Sequence, residues 1–240
     1  MPASRPVRVL FVDDGGVLND NERRAPEWRR LIGEFFAPRL GGTGEAWAAA
    51  NAAVFPGTLE RYLAHQRVAT TGVREFLRLE DRRWLLEMCA AVGVEVDDAD
   101  LDELVEASHR YITRKADCAY PDAAQAIRDV ARSGIALHTA SGETSLQLDG
   151  YLRAMGLREL FDRLYGTDLI DRFKSGPHFY TAILADSGVD PADAVVVDDS
   201  ADALDWAAGC GLRTIQVARH GGDEGRHERI SSLSALPLIL

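Results

Sequence analysis

Four short stretches of this chain carry side chains of the kind and setting that do chemistry. Asp13 and Asp14 follow the apolar run Val9-Leu10-Phe11-Val12 and precede Gly15-Gly16-Val17-Leu18. The run has the β-branched and aromatic character of a buried strand, which the acids and glycines must end. A carboxylate at the carboxyl end of such a strand stands where α/β proteins gather their ligands. A second run, Ala194-Val195-Val196-Val197, leads into Asp198-Asp199-Ser200. Two adjacent carboxylates are costly to hold close together unless a cation lies between them. The plainer account makes both pairs acidic turns, the second with Ser200 capping a helix.

Ser141 closes the strand-like segment Ile135–Ala140 and precedes Glu143-Thr144. Its hydroxyl is suited to capping a helix that starts there, and helix N-termini also bind anions, so the two roles are compatible. Thr139 lies inside the strand, and His138 reads as a packed sheet residue. Lys174 opens Lys174-Ser175-Gly176-Pro177 in a loop before a helix. It is one of two lysines among 27 basic residues, the other being Lys115. An ammonium puts its charge at one point, unlike a guanidinium fork. The commonest fate of a loop lysine is nonetheless solvation.

The elements that must position these groups follow from periodicity. After Tyr120-Pro121, helices over residues 122–132, 143–155, 175–186 and 201–210 alternate with strands over 135–140, 164–166, 194–197 and 213–217. Alternation of this kind implies parallel strands in right-handed crossovers, hence an α/β protein with a doubly wound, Rossmann-like parallel sheet. The tail from Ile230 is expected to pack a last helix or loop on the sheet edge. Between Asp20 and Arg114 no strand pattern occurs. Apolar residues Trp28, Leu31, Ile32, Phe35 and Phe36 recur at helical spacing behind Pro26, which suits a first helical turn. Further helices are expected over 45–54, from Pro56-Gly57 through His65, around Trp84–Val92, and from Leu101 to Ile112. The expected division is an α/β core of residues 1–19 and 116–240, with residues 20–115 as an inserted helical module hinged near Asp20 and Ala116.

The four stretches, in this order and each at a strand end or adjoining loop, resemble the motifs of the haloacid dehalogenase-like hydrolases. The resemblance covers essentially the whole chain, the helical insert matching the family's cap by character rather than by motif. It implies that Asp13 is a nucleophile and that Ser141 and Lys174 hold the oxygens of a transferred group. It also implies that Mg²⁺ is held by Asp13, the main-chain oxygen of Gly15, Asp198 and Asp199, with Asp199 a direct ligand and Asp198 supporting it or bonding Lys174. One position departs. The family's second aspartate, a general acid/base worth about 10²–10⁴-fold in rate, is Gly15 here. Asp14 should point to the other side of the strand end and not replace it.

Three functions fit this pattern. The first is a Mg²⁺-dependent phosphatase-type hydrolase of a small phosphorylated metabolite, slowed by the glycine. The second is another hydrolase on the same frame. A phosphonatase would need a Schiff-base lysine in the cap, where Lys115 lies at the wrong end. A dehalogenase would dispense with the metal that Asp198–Asp199 favours. The third is a catalytically weak binding or regulatory protein. Arg39, Trp47, His65 and Arg67 are candidates to line the cleft.

Bulk properties bound these readings. A chain of 240 residues has room for a core and an inserted module. Its net charge of −11 argues against nucleic-acid and anionic-membrane partners, though a bound metal can reverse the sign of one site. No apolar run reaches membrane-spanning length, and the short segment before the first strand does not read as a signal peptide. Three scattered cysteines without metal-ligand spacing suit a reducing cytoplasm. The substrate and the oligomeric state are left open by the sequence.

Overall fold

Among the described residues, six parallel strands form the sheet, in the order β3-β2-β1-β4-β5-β6. They are β1 (Val9–Val12), β2 (Ala136–Ala140), β3 (Phe161–Tyr165), β4 (Ala194–Asp198), β5 (Arg213–Val217) and β6 (Glu228–Ile230). The computed structural model describes residues 6–69, 71–219, 221 and 225–240. Val12 pairs in register with Thr139 of β2 on one side and Val197 of β4 on the other. The residues one step further, Asp13, Ala140 and Asp198, therefore lie abreast at the carboxyl edge. Strand order reverses at β1, so this edge is the switch point where open α/β sheets bind ligands.

Alternation along the strands explains the two covered faces. Leu10, Val12, Leu137, Val195 and Val197 face α5 (Ala123–Arg132) and α6 (Ser145–Ala154), meeting Ile127, Val130, Leu148 and Leu152. Val9, Phe11, Ala140 and Val196 face α7 (Pro177–Ser187) and α8 (Ala201–Gly209), meeting Phe179, Ile183, Leu204 and Ala207. Both faces are apolar because both are packed, which is why these strands read as continuous hydrophobic runs.

The insert consists of α1 (Asn21–Leu40), α2 (Gly44–Gln66), α3 (Val73–Val92) and α4 (Leu101–Thr113). No strand occurs among its described residues. Its interior gathers Leu31, Phe35, Phe36, Trp47, Trp84 and Met88, with Tyr151 of α6 reaching in from the sheet side. The chain crosses into and out of it through two paired segments. Asp20 N donates to Cys118 O at 2.7 Å, and Tyr120 N donates to Leu18 O at 2.9 Å.

Several expectations about elements need correction. Asp20 caps α1 by accepting from Glu22 N at 2.8 Å, so the helix starts at Asn21 and Pro26 sits within it, on an exposed face. The expected pair of helices around Pro56-Gly57 is one helix, α2, with Pro56 inside it. Packing of α2 against α1 and α3 overrides the breaker signal of the proline. Thr144, not Ser141, caps α6, through a capping box with Gln147. The third strand begins at Phe161, hidden in the sequence by exposed Asp162 and Arg163. β6 was not expected; it adds a short edge strand, followed by α9 (Leu236–Ile239). Among the described residues no helix is long and apolar enough to cross a membrane.

Candidate active site

The sheet edge at β1 and β4 brings three carboxylates together. Oxygen atoms of Asp13, Asp198 and Asp199 lie within 4.8 Å of one another. Asp13 is anchored by its own N–H, which donates to Val197 O at 3.0 Å. Asp198 turns inward, where Oδ1 accepts from Ser200 N at 2.9 Å and Oδ2 faces Tyr180. Asp199 points toward the cleft and is more exposed. Ser200 caps α8, as the sequence suggested.

Lys174 is drawn into this cluster. Its Nζ lies 2.9 Å from Asp13 Oδ1 and 2.6 Å from Asp198 Oδ2, and donates to Ala140 O at 2.9 Å. Burial opposes its charge, but Asp13 and Asp198 more than offset that and hold its pKa well above the ordinary lysine value. The ammonium stays protonated at neutral pH. The remaining acidity is uncompensated. Burial, with Asp13 adding to it, pushes the Asp199 carboxyl up. Burial pushes Asp198 up to about 7 against the pull of Lys174. One cation among three carboxylates leaves the electrostatic deficit that a divalent ion relieves. The donor set is hard oxygen, which suits Mg²⁺.

The turn after β1 is shaped for close approach. Gly16 has φ +77°, and a Cβ there would run into the Asp199 carboxylate. Only glycine at this position lets the two loops meet. Gly15 has no such backbone requirement; a Cβ on it would point at Asn21, 2.8 Å from Oδ1. Asp14 leaves the site, as expected. It is fully buried, accepts from Asn19 Nδ2 at 2.7 Å, and pairs with Arg24, which also binds Glu143 at 2.5 Å. Burial pushes its pKa up to about 6, with Arg24 opposing.

Ser141 is buried at the end of β2, next to the carbonyl that holds Lys174. Its N–H donates to Tyr165 O at 3.0 Å, and its Oγ accepts from Glu143 N at 3.4 Å, shaping the turn before α6. His138 is a packed sheet residue, its ring 5.4 Å from Phe11 and 5.8 Å from Tyr165. Lys115 donates to Tyr111 Oη at 3.0 Å on α4, in the insert.

The insert side of the cleft differs from the sequence expectation. Trp47 is wholly buried, stacked on Phe36 at 4.9 Å, and cannot line a cleft. Arg39 lies over Phe35 of its own helix. Arg67 is exposed. His65 does reach the sheet side: it stacks on Phe76 at 4.0 Å and meets Phe173, the neighbour of Lys174, at 5.7 Å. Tyr62, one turn earlier, packs edge-on against Phe173 at 5.2 Å. Burial, then Glu143, raises its pKa to about 12, and Lys174 opposes. The sequence reading missed Tyr62. Its spacing from His65 along one helix face was the signal available.

A parallel sheet that gathers acids and a buried lysine at its switch point has the ground plan of an α/β enzyme. The family model for haloacid dehalogenase-like hydrolases matches residues 7–211, and the chain belongs to that family of hydrolases. It is 28% identical over 148 residues to the phosphatase MT3486 of Mycobacterium tuberculosis, covering 61% of this chain and 65% of that one. It is 31% identical over 119 residues to protein CbbY of Cereibacter sphaeroides, covering 48% and 50%. The aligned segments thus span about half to two-thirds of these curated relatives. The L-2-haloacid dehalogenase of Xanthobacter autotrophicus shares the fold, with a TM-score of 0.62 at 18% identity over 97% of this chain and 98% of that one.

Proposed function

We propose that this hydrolase is a Mg²⁺-dependent phosphatase acting on a small phosphorylated molecule through an aspartyl intermediate on Asp13. The observation that carries the reading is the Asp13–Lys174–Asp198 arrangement beside Asp199. Asp13, Asp198, Asp199 and the Gly15 main-chain oxygen would hold Mg²⁺, which when bound supplies charge screening between anionic nucleophile and anionic phosphate. Asp13 attacks phosphorus, forming the O–P bond as the bond to the leaving oxygen breaks. Lys174, the Ser141 hydroxyl and the N–H of Gly142 that follows it bind the non-bridging oxygens and stabilise the charge they gain. Water then attacks the phosphoaspartate, releases phosphate and restores Asp13.

Residues 20–115 act as a cap over residues 1–19 and 116–240, covering the reacting groups with Tyr62 and His65. Closure excludes bulk water and strengthens every charge interaction inside. Gly15 supplies no proton to the leaving oxygen, so esters with acidic leaving groups are the better substrates. Steady-state phosphate release from a phosphomonoester panel, with and without Mg²⁺, tests the reading. Mg²⁺-dependent release supports it. Metal-independent chloride release from 2-chloropropionate, with no phosphate released from any ester, would replace it with the dehalogenase alternative.

A further inference from the structure

A cavity of about 610 Å³ lies between the insert and the sheet side, beside the catalytic loops. Asn21, which faces Gly15, and Glu143, whose N–H donates to Ser141, both line it. Its size suits a small organic molecule. Its walls include the aromatic rings of Trp28, Phe55, Trp84 and Tyr151. Most of the polar groups around it are engaged. Arg24 is held by Asp14 and Glu143, and the exposed Arg29 donates to Ala25 O on α1. Asn51 accepts from Trp84 Nε1 at 3.0 Å.

Asp81 is the exception. Its carboxylate lines the cavity and forms no hydrogen bond or ion pair among the described residues. The arginines near it are committed elsewhere. Arg61 and Arg83 bind Glu80, at 2.5 and 3.2 Å, and Arg82 binds Asp98 and Asp102, at 2.5 and 3.0 Å. Burial pushes the Asp81 pKa up, with His109 opposing; that imidazole is wedged against Trp28 at 5.6 Å and Trp84 at 5.7 Å. A carboxylate in an apolar enclosure is expensive unless a cation reaches it. Trp28 and Trp84 line the same cavity, and indole rings attract the same kind of group.

Resting on the phosphatase reading for its reacting end, we propose that this cavity receives the leaving group of the substrate. Asp81 there selects a leaving group with a protonated amine on an apolar or aromatic body. The phosphate end lies at Asp13 and Lys174, the ring passes Asn21 and Glu143, and the ammonium sits between Asp81 and the two tryptophans. The substrate class is an amine-bearing phosphomonoester.

Tyramine and 4-ethylphenol differ only by that ammonium and test the proposal without any turnover. Calorimetry at pH 7 on the whole protein should show tyramine bound at least tenfold more tightly than 4-ethylphenol. In Asp81→Asn the two should bind within about twofold of each other. Equal binding of both compounds by the wild type would overturn the proposal, as would full discrimination retained in Asp81→Asn. The wild-type comparison stands even where the variant folds poorly. The matching esters, tyramine phosphate and 4-ethylphenyl phosphate, separate the two claims. Tyramine discrimination with neither ester hydrolysed would keep the cavity and refute phosphatase chemistry. Hydrolysis of both esters at equal kcat/KM, with no tyramine preference, would refute the cavity alone.

Discussion

Lys174 Nζ stands 2.9 Å from Asp13 Oδ1, with both side chains about nine-tenths buried. The ammonium is the fixed cation of the site and Asp13 the carboxylate it faces. Replacing Lys174 by Met leaves Asp13 and Asp198 buried without their partner. Uncompensated buried charges of this kind cost about 3–5 kcal/mol. Lys174→Met should therefore lower the melting temperature by several degrees and lose turnover, and Mg²⁺ should recover part of the stability. A melting temperature unchanged from wild type would show that the ammonium does not balance these acids.

Gly16 and Asp199 predict a second effect. A methyl group at Gly16 meets the Asp199 carboxylate, and φ +77° disfavours any side chain. Gly16→Ala should weaken Mg²⁺ binding by calorimetry about 10–100-fold, the range typical of disturbed metal-ligand positioning. Asp199→Ala should weaken it at least as much. Binding indifferent to both changes would remove Asp199 from the metal site.

Gly15→Asp should raise the rate. The backbone at Gly15 accepts a side chain, and the obstacle is the movable end of Asn21. A carboxyl placed here can protonate the leaving oxygen, and a gain of about tenfold is expected, below the full range of acid/base help. An alkyl phosphate should gain more than an aryl phosphate, because its leaving group needs the proton more. Equal rates for both proteins on both esters, with the fold intact, would show that Gly15 is not the missing acid/base.

Much of this site was readable before the structure because it rests on strand ends. Asp13 and Asp198 each close an apolar run, and parallel register alone sets them side by side. Lys174 carried a weaker signal, since a loop residue's position depends on tertiary packing, yet its rarity in the chain marked it. Cleft residues from the insert were not legible. Trp47 and Tyr62 both occur on helix faces that periodicity marks as apolar, and only packing tells interior from cleft. The helix through Pro56 escaped for a related reason, because neighbouring helices stabilise what local propensity opposes. β6 is three residues long and offers too little pattern to be seen.

His138 gives a pH prediction separate from the acids. Burial between Phe11 and Tyr165 pushes its pKa below the ordinary histidine value. The unfolded chain then takes up a proton near pH 6.5 that the folded protein accepts only at lower pH. Its contribution to stability is present above about pH 6.5 and is lost as the pH falls below that. His138→Phe should remove this slope. Urea unfolding of both proteins from pH 7.5 to 5 checks it, since their difference cancels the acids they share. A constant difference across that range would show that His138 titrates normally.

The central claim is that Asp13 attacks the substrate. Asp13→Asn keeps the shape of the side chain and removes an acid from a crowded anionic site, so the fold and melting temperature should stay near wild type. Phosphate release with Mg²⁺ from the best ester of the panel is the direct measurement. We expect a loss on the order of 10³-fold or more, as for removal of a covalent nucleophile. Retention of most of the wild-type rate by purified, folded Asp13→Asn would contradict the account.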